Sequence, residues 1–314
     1  MTLHAPPPAS PAPVRAARRS GAVAWTVLVA LLAAFGTVAT WRLFVGTEQG
    51  QIVDQAALDG AHIGQSRLWQ VAEPVLDVVS VGFIVVAVLA CLVIALLRRR
   101  WSLAIAATVV LGGANISTQV LKKLVWDRPD WGHGPDFNTL PSGHTTAAAS
   151  VAVAVLLVVP PRVRPWAAFL GAVYAAATGV STLVGQWHRP SDVIAALLVT
   201  LFWGALACLV PAVGLRERRD PPTSALSTVS GRPVRPGRAG SWLAVGVLAV
   251  GGVLAGVGAV IALALTWRSP DTASLAVAYG GGVLSIVAVA ALCFAVLTVV
   301  RQSATASGLH EGPS

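Results

Sequence analysis

The chain reads as an all-α, polytopic membrane protein, and three observations lead there. Hydrophobic residues make up 55% of its 314 residues and charged residues only 11%, a balance unlike that of ordinary soluble domains. Apolar runs of about 20 residues recur, the length that crosses a hydrocarbon core of roughly 30 Å as a helix. Arginines gather in alternate connections between those runs, the asymmetry that sets membrane orientation.

Eight spans are predicted, near 23–45, 75–97, 101–121, 145–160, 165–185, 190–212, 241–266 and 274–300. A re-entrant C-terminal segment would reduce the count to six or seven. The first 22 residues are rich in Pro and Ala, with Arg15, Arg18 and Arg19 just before the first apolar run. That run is longer than a signal-peptide core, and the Trp41-Arg42 exit offers no small-residue cleavage site. An uncleaved anchor is expected. The span near 145–160 is short and begins inside a histidine motif.

With the N-terminus in the cytoplasm, the inside connections receive Arg98–Arg100, Arg162, Arg164, Arg216, Arg218, Arg219, Arg232, Arg235 and Arg238, and the C-terminal exit Arg301. An even number of spans with both termini cytoplasmic follows. Arg42, Arg67 and Arg268 also fall outside, with Lys122, Lys123, Arg128 and Arg189. Those last four crowd two short segments, a placement that topology alone does not require and binding of an anionic headgroup does. Snorkelling at the interface is the bland alternative for any one of them. Cys91, Cys208 and Cys293 all fall inside apolar runs and form no metal or disulfide pattern. The net charge of +9 is explained by topology, so no nucleic-acid partner is expected.

Three segments carry candidate chemistry. In Lys122-Lys123-Leu124-Val125-Trp126-Asp127-Arg128-Pro129, Pro129 biases Arg128 toward extended backbone, leaving its guanidinium free for paired bonds to phosphate. In Pro141-Ser142-Gly143-His144, a tight turn aims backbone amides at an anion near a helix N-terminus. Ser142 adds a hydroxyl, and His144 is suited to protonate a departing oxygen. An ordinary helix cap with a surface histidine would look the same. In Gly185-Gln186-Trp187-His188-Arg189-Pro190-Ser191-Asp192, a helical His188 and Asp192 would share a face, so the carboxylate can hold one imidazole nitrogen while the other attacks phosphorus. A polar staple at a helix start is the competing reading. Pro190 suits the first helical turn.

Segment lengths put His144 and His188 at one membrane depth although 44 residues separate them. No P-loop, dinucleotide fingerprint, HExxH motif or nucleophile elbow is present. A metal held by His144, His188 and Asp192 is conceivable. One histidine paired with a carboxylate among several cations fits covalent histidine chemistry better, without metal or other cofactor.

Together these segments resemble the type 2 phosphatidic acid phosphatase (PAP2) superfamily, over about residues 70–212. The resemblance implies a PAP2-like six-helix membrane core with a two-helix C-terminal extension. It also implies metal-independent hydrolysis of a phosphomonoester or pyrophosphate on the outer face. His188 looks like the nucleophile, Asp192 its orienting acid and His144 the leaving-group acid. Lys122, Arg128, Ser142 and Gly143 look like phosphate binders, with Lys123 and Arg189 as accessory candidates. Two departures stand out. Five residues separate Lys122 from Arg128 where the family usually has six, and Ser181-Thr182 stands where the family has Ser-Arg.

The expected organisation is a disordered cytoplasmic N-terminus over 1–22, a catalytic core over 23–212, a flexible cytoplasmic loop over 213–240, a transmembrane hairpin over 241–300 and a disordered tail over 301–314. The Arg-, Pro-, Ser- and Gly-rich composition of 216–240 marks the loop. Expected substrates are polyprenyl pyrophosphate, phosphatidic acid or phosphatidylglycerol phosphate. Lipid phosphoryl or headgroup transfer, and non-catalytic transport or scaffolding, are the alternative functions. Homo-oligomerisation stays open.

Overall fold

The computed structural model describes residues 12–63, 65–78, scattered positions between 85 and 97, 101–134, 137–213, 238–269 and 274–308. In the predicted span near 75–97, positions 79–84, 87, 92 and 94–96 lie outside the described residues, as does the loop over 214–237. All regular elements among the described residues are helical: α1 (Ala12–Phe44), α2 (Glu48–Gly60), α3 (Gln65–Val78), α4 (Trp101–Val120), α5 (Gly143–Val158), α6 (Arg164–Val184), α7 (Pro190–Val213), α8 (Arg238–Arg268) and α9 (Leu275–Gly308). A five-residue π turn, Leu121–Val125, extends α4.

By length and composition, six of these helices can cross a membrane: α1, α4, α6, α7, α8 and α9. The chain is a multi-pass, all-α membrane protein. Helix α5 has only 16 residues. Almost all of them from Thr145 to Val158 are buried, because α4, α6 and α7 enclose the helix. A helix surrounded by protein does not have to match the bilayer's thickness by itself.

Helix α7 is the hub, packing against α1, α4, α5 and α9. In lipid, helices gain little from hydrophobic transfer and associate through close packing of small residues. The core follows that rule. A Cβ at Gly171 of α6 would lie 2.6 Å from the Phe294 ring of α9, and one at Gly204 of α7 would lie 2.9 Å from Leu297. Phe294, Leu297, Leu197, Leu183 and Leu156 fill the centre of this cluster.

Three expectations are corrected. Helix α1 begins at Ala12, well inside the supposed disordered N-terminus, where alanines favour helix and Pro13 sits in the tolerant first turn. Helix α9 continues to Gly308 instead of giving way to a disordered tail at Arg301. Arg301 is buried, with Nη2 donating to Leu157 O at 3.4 Å. The C-terminal hairpin is not an appended unit: α9 packs against α1, α2, α6 and α7 as a core helix. Its partner α8 turns Leu243, Val250 and Leu254 outward, the apolar face expected of a lipid-facing helix.

Residues 46–63, between the first two predicted spans, hold a further helix, α2. Thr47 caps α2 by accepting from Gly50 N at 3.0 Å. The helix then folds back onto α9, α1 and α8 and touches the start of α7. Its polar residues Gln51, Asp54 and Gln55 stand at i, i+3 and i+4, one helical face. That face meets the connecting segment after the π turn and the start of α7.

Candidate active site

The α6–α7 turn presents His188. Gly185 ends α6 and Gln186 adopts the left-handed conformation, φ 58°, uncommon for a residue with a Cβ. Trp187 N and His188 N then both donate to Thr182 O, at 2.9 and 3.3 Å. Thr182 is wholly buried and spends its hydroxyl on Gly179 O. It therefore shapes the turn from within and leaves the site one guanidinium short of the family pattern.

His188 precedes α7 and is not part of it, so the expected shared helical face is replaced by a capping arrangement. Asp192 is the third residue of α7, and its Oδ2 reaches back to accept Arg189 N at 3.1 Å, one half of a capping box. The same oxygen accepts Thr139 Oγ1 at 2.8 Å and lies 3.1 Å from His188 Nδ1. With Asp192 ionised, Nδ1–H donates and the Nε2 lone pair is directed away from the carboxylate. Both residues are buried.

His144 stands opposite, exposed at the first turn of α5, its ring centre 6.2 Å from that of His188. The fold thus brings together two rings that lie 44 residues apart in the chain. Trp187 packs 5.4 Å from His144 and meets Trp69 of α3 edge-on at 5.9 Å. Ser142 is fully buried; its Oγ accepts Thr145 N at 3.4 Å and its backbone N donates to Asp192 O at 2.9 Å. This second bond ties the turn before α5 to the start of α7. Gly143 opens α5, and the nearest atom a Cβ there would meet is Gln119 Nε2 at 3.7 Å. As a first-turn residue its N–H has no partner within the helix.

The π turn separates the two lysines. Trp126 N donates to Leu121 O, a wide turn of the kind common at functional sites. Lys122 is half-buried and lies within electrostatic reach of Asp192 and His144, whereas Lys123 is exposed. Arg128 is buried, with Nη2 donating to His133 O at 2.8 Å. Burial first, then repulsion from Arg189, pushes its guanidinium below its ordinary pKa, opposed by Asp54 and Asp192.

Arg189 points into protein. Its Nε and Nη2 donate to Gln55 Oε1 at 3.0 and 2.8 Å, and Nη1 to Thr139 Oγ1 at 3.3 Å. Gly134, at φ +87°, is needed beside it, because a Cβ there would lie 2.1 Å from Nη2. Asp54, absent from the sequence reading, is buried against this group, Oδ1 accepting Ser191 N at 3.1 Å and Oδ2 accepting Ser191 Oγ at 2.5 Å. Burial, then the charge of Asp192, raises its pKa to about 7, against the bonds from Ser191 and the charge of Arg189.

A stability prediction follows. The folded protein holds a proton on Asp54 that the unfolded chain releases between about 3.8 and about 7, so rising pH through that window weakens the fold. Asp54→Asn cannot ionise. In detergent melts the variant should gain on wild type as pH rises from 4 to 7, with a ceiling on the order of 4 kcal/mol. A constant difference across the window would contradict this.

Among the described residues no group of three or more His, Cys, Asp or Glu is arranged to hold a metal ion. Residues 103–213 match the PAP2 superfamily. The match takes in both histidines, Asp192, Lys122 and Arg128 but only α4 to α7, four helices where the resemblance implied six. Asp54 and Gln55 fall outside it. No curated protein and no solved structure matches the chain. The chain is thus a multi-spanning helical membrane protein in which residues 103–213 are similar to the PAP2 superfamily, and this similarity supports a phosphoric ester or diphosphate hydrolase of the PAP2 type.

Proposed function

We propose that the chain hydrolyses a lipid phosphate or pyrophosphate through a phosphohistidine at His188. The observation that carries this reading is the buried His188 Nδ1–Asp192 Oδ2 contact of 3.1 Å, with the exposed His144 ring 6.2 Å away. His188 Nε2 attacks phosphorus, the bond to the leaving oxygen breaks, and His144 donates its proton to that oxygen. Neutral His144 then takes a proton from water, which attacks the phosphohistidine. The P–N bond breaks and releases phosphate.

Lys122, Arg128 and the Gly143 amide stabilise the charge on the phosphoryl oxygens. Ser142, buried as it is, serves chiefly by building the turn that aims that amide. Lys123, being exposed, is left to the surface, and Arg189 supports the site from behind instead of replacing the missing arginine at position 182. The site opens beside apolar helix ends, a natural position for a substrate whose tail stays in the bilayer. Polyprenyl pyrophosphate, phosphatidic acid and phosphatidylglycerol phosphate are the candidate classes.

The test is phosphate release, in chelator, from each of these lipids and from a water-soluble phosphate ester. A lipid should show the largest kcat/KM. Turnover of the soluble ester alone would defeat the bilayer-substrate reading, and release from none would favour transfer or a non-catalytic role. The arginine distribution supports a site on the outer face and both termini in the cytoplasm. Single cysteines at position 133 should then label from outside and at position 235 from inside; the reverse pattern would overturn that orientation.

A further inference from the structure

Helix α2 lies outside the family match, yet its polar face grips both ends of the site. Gln51 Nε2 donates to Pro129 O at 2.9 Å, holding the residue next to Arg128. Gln55 Oε1 takes two donors from Arg189. Asp54 takes the backbone N and the hydroxyl of Ser191. Arg189 and Ser191 flank Pro190 and lie between His188 and Asp192. The contacts of the adjacent residues Asp54 and Gln55 therefore fix the short segment that sets the angle between nucleophile and carboxylate.

From this geometry we infer that α2 is a positioning element for the reaction, with Asp54 its central positioning residue acting on His188 through Ser191 and the first turn of α7. The inference rests on the phosphohistidine reading of the site. Burying a carboxyl inside a membrane protein is costly unless its bonds are well satisfied. Asp54 is 3% exposed, and both of its oxygens are committed to Ser191. The contact survives either protonation state: an ionised Asp54 accepts from the hydroxyl, and a protonated one donates to it while Oδ1 still accepts the amide. Asp192 on α7, Arg189 before it and Arg128 in the connecting segment are the charged groups that act on it or on which it acts.

The arrangement predicts a particular pattern among variants. Asparagine can reproduce the protonated contact, its oxygen accepting Ser191 N and its amide donating to Ser191 Oγ. Alanine removes both bonds. A nucleophile held about 1 Å from its best position loses rate and not ground-state binding, so Asp54→Ala should lower kcat by at least about tenfold with KM within about twofold. Asp54→Asn should recover most of that loss.

The experiment uses the full chain in detergent with phosphatidic acid and polyprenyl pyrophosphate, and includes wild type and His188→Ala. A second readout needs no turnover: the Nδ1–H proton resonance of His188 in imidazole-labelled protein, assigned by its absence in His188→Ala. It should shift or broaden in Asp54→Ala and return in Asp54→Asn. If Asp54→Ala fails to fold, Ser191→Ala is read instead, with the resonance moved and kcat lowered by roughly threefold. Wild-type kcat in the alanine variant, a loss carried by KM alone, or an unmoved resonance would each overturn the inference. Release of phosphate by wild type but not His188→Ala upholds the phosphatase reading whatever Asp54 does. Absence of release in wild type sinks that reading, and the resonance then decides the positioning of His188 by itself.

Discussion

Alanine at position 188 is expected to abolish phosphate release from a lipid phosphate, by roughly 10⁴-fold or more, while the helical bundle stays folded. The size of the effect reflects the loss of the proposed nucleophile. The fold should survive because His188 lies in a turn before α7, and Asp192 keeps its bonds from Thr139 and from Arg189 N. Turnover by single-time-point phosphate assay, alongside a melting curve, separates the two. Full turnover in the variant would reject His188 as nucleophile. Activity that is lost in chelator and restored by a divalent ion would revive the metal reading.

His144→Ala is expected to cost about 10²- to 10⁴-fold on a lipid substrate, the range for loss of a positioned general acid. The loss should depend on the leaving group. An alkoxide leaves poorly without a proton, whereas a nitrophenolate leaves well alone, so His144→Ala should retain far more activity on nitrophenyl phosphate. Trp187 packs on His144, and its ring should keep the neighbourhood folded in the variant. Equal losses on both substrates would mean that His144 binds or shapes the site and does not protonate the leaving oxygen.

Much of the architecture was legible in the sequence because membranes simplify it. Spans of sufficient length led to a multi-pass helical protein, and the two histidine motifs at segment ends led to one candidate site, where the ring centres of His144 and His188 lie 6.2 Å apart. The parts that escaped are those where tertiary contacts override local pattern. His188 and Asp192 looked like an i,i+4 helical pair, yet the contact is a cap reaching back over Pro190. Nothing in Lys122-Lys123 distinguishes the two side chains until the π turn rotates one toward Asp192. The C-terminal hairpin looked peripheral because apolar composition cannot tell a lipid-facing helix from a core helix; the close approach of Phe294 to Gly171 decides it. Helix α2 was the largest omission. Its signal was present, a polar face of Gln51, Asp54 and Gln55 at helical spacing, but its partners lie more than 75 residues downstream.

The covalent intermediate offers the most direct measurement. Wild-type protein mixed with a lipid phosphate labelled at phosphorus, then denatured in alkali within the first turnovers, should carry label that is stable to base and released by acid. Peptide mapping should place it on His188, and His188→Ala should carry none. Rapid phosphate release with no label on His188 at any quench time, or label on another residue that persists in His188→Ala, would contradict the account.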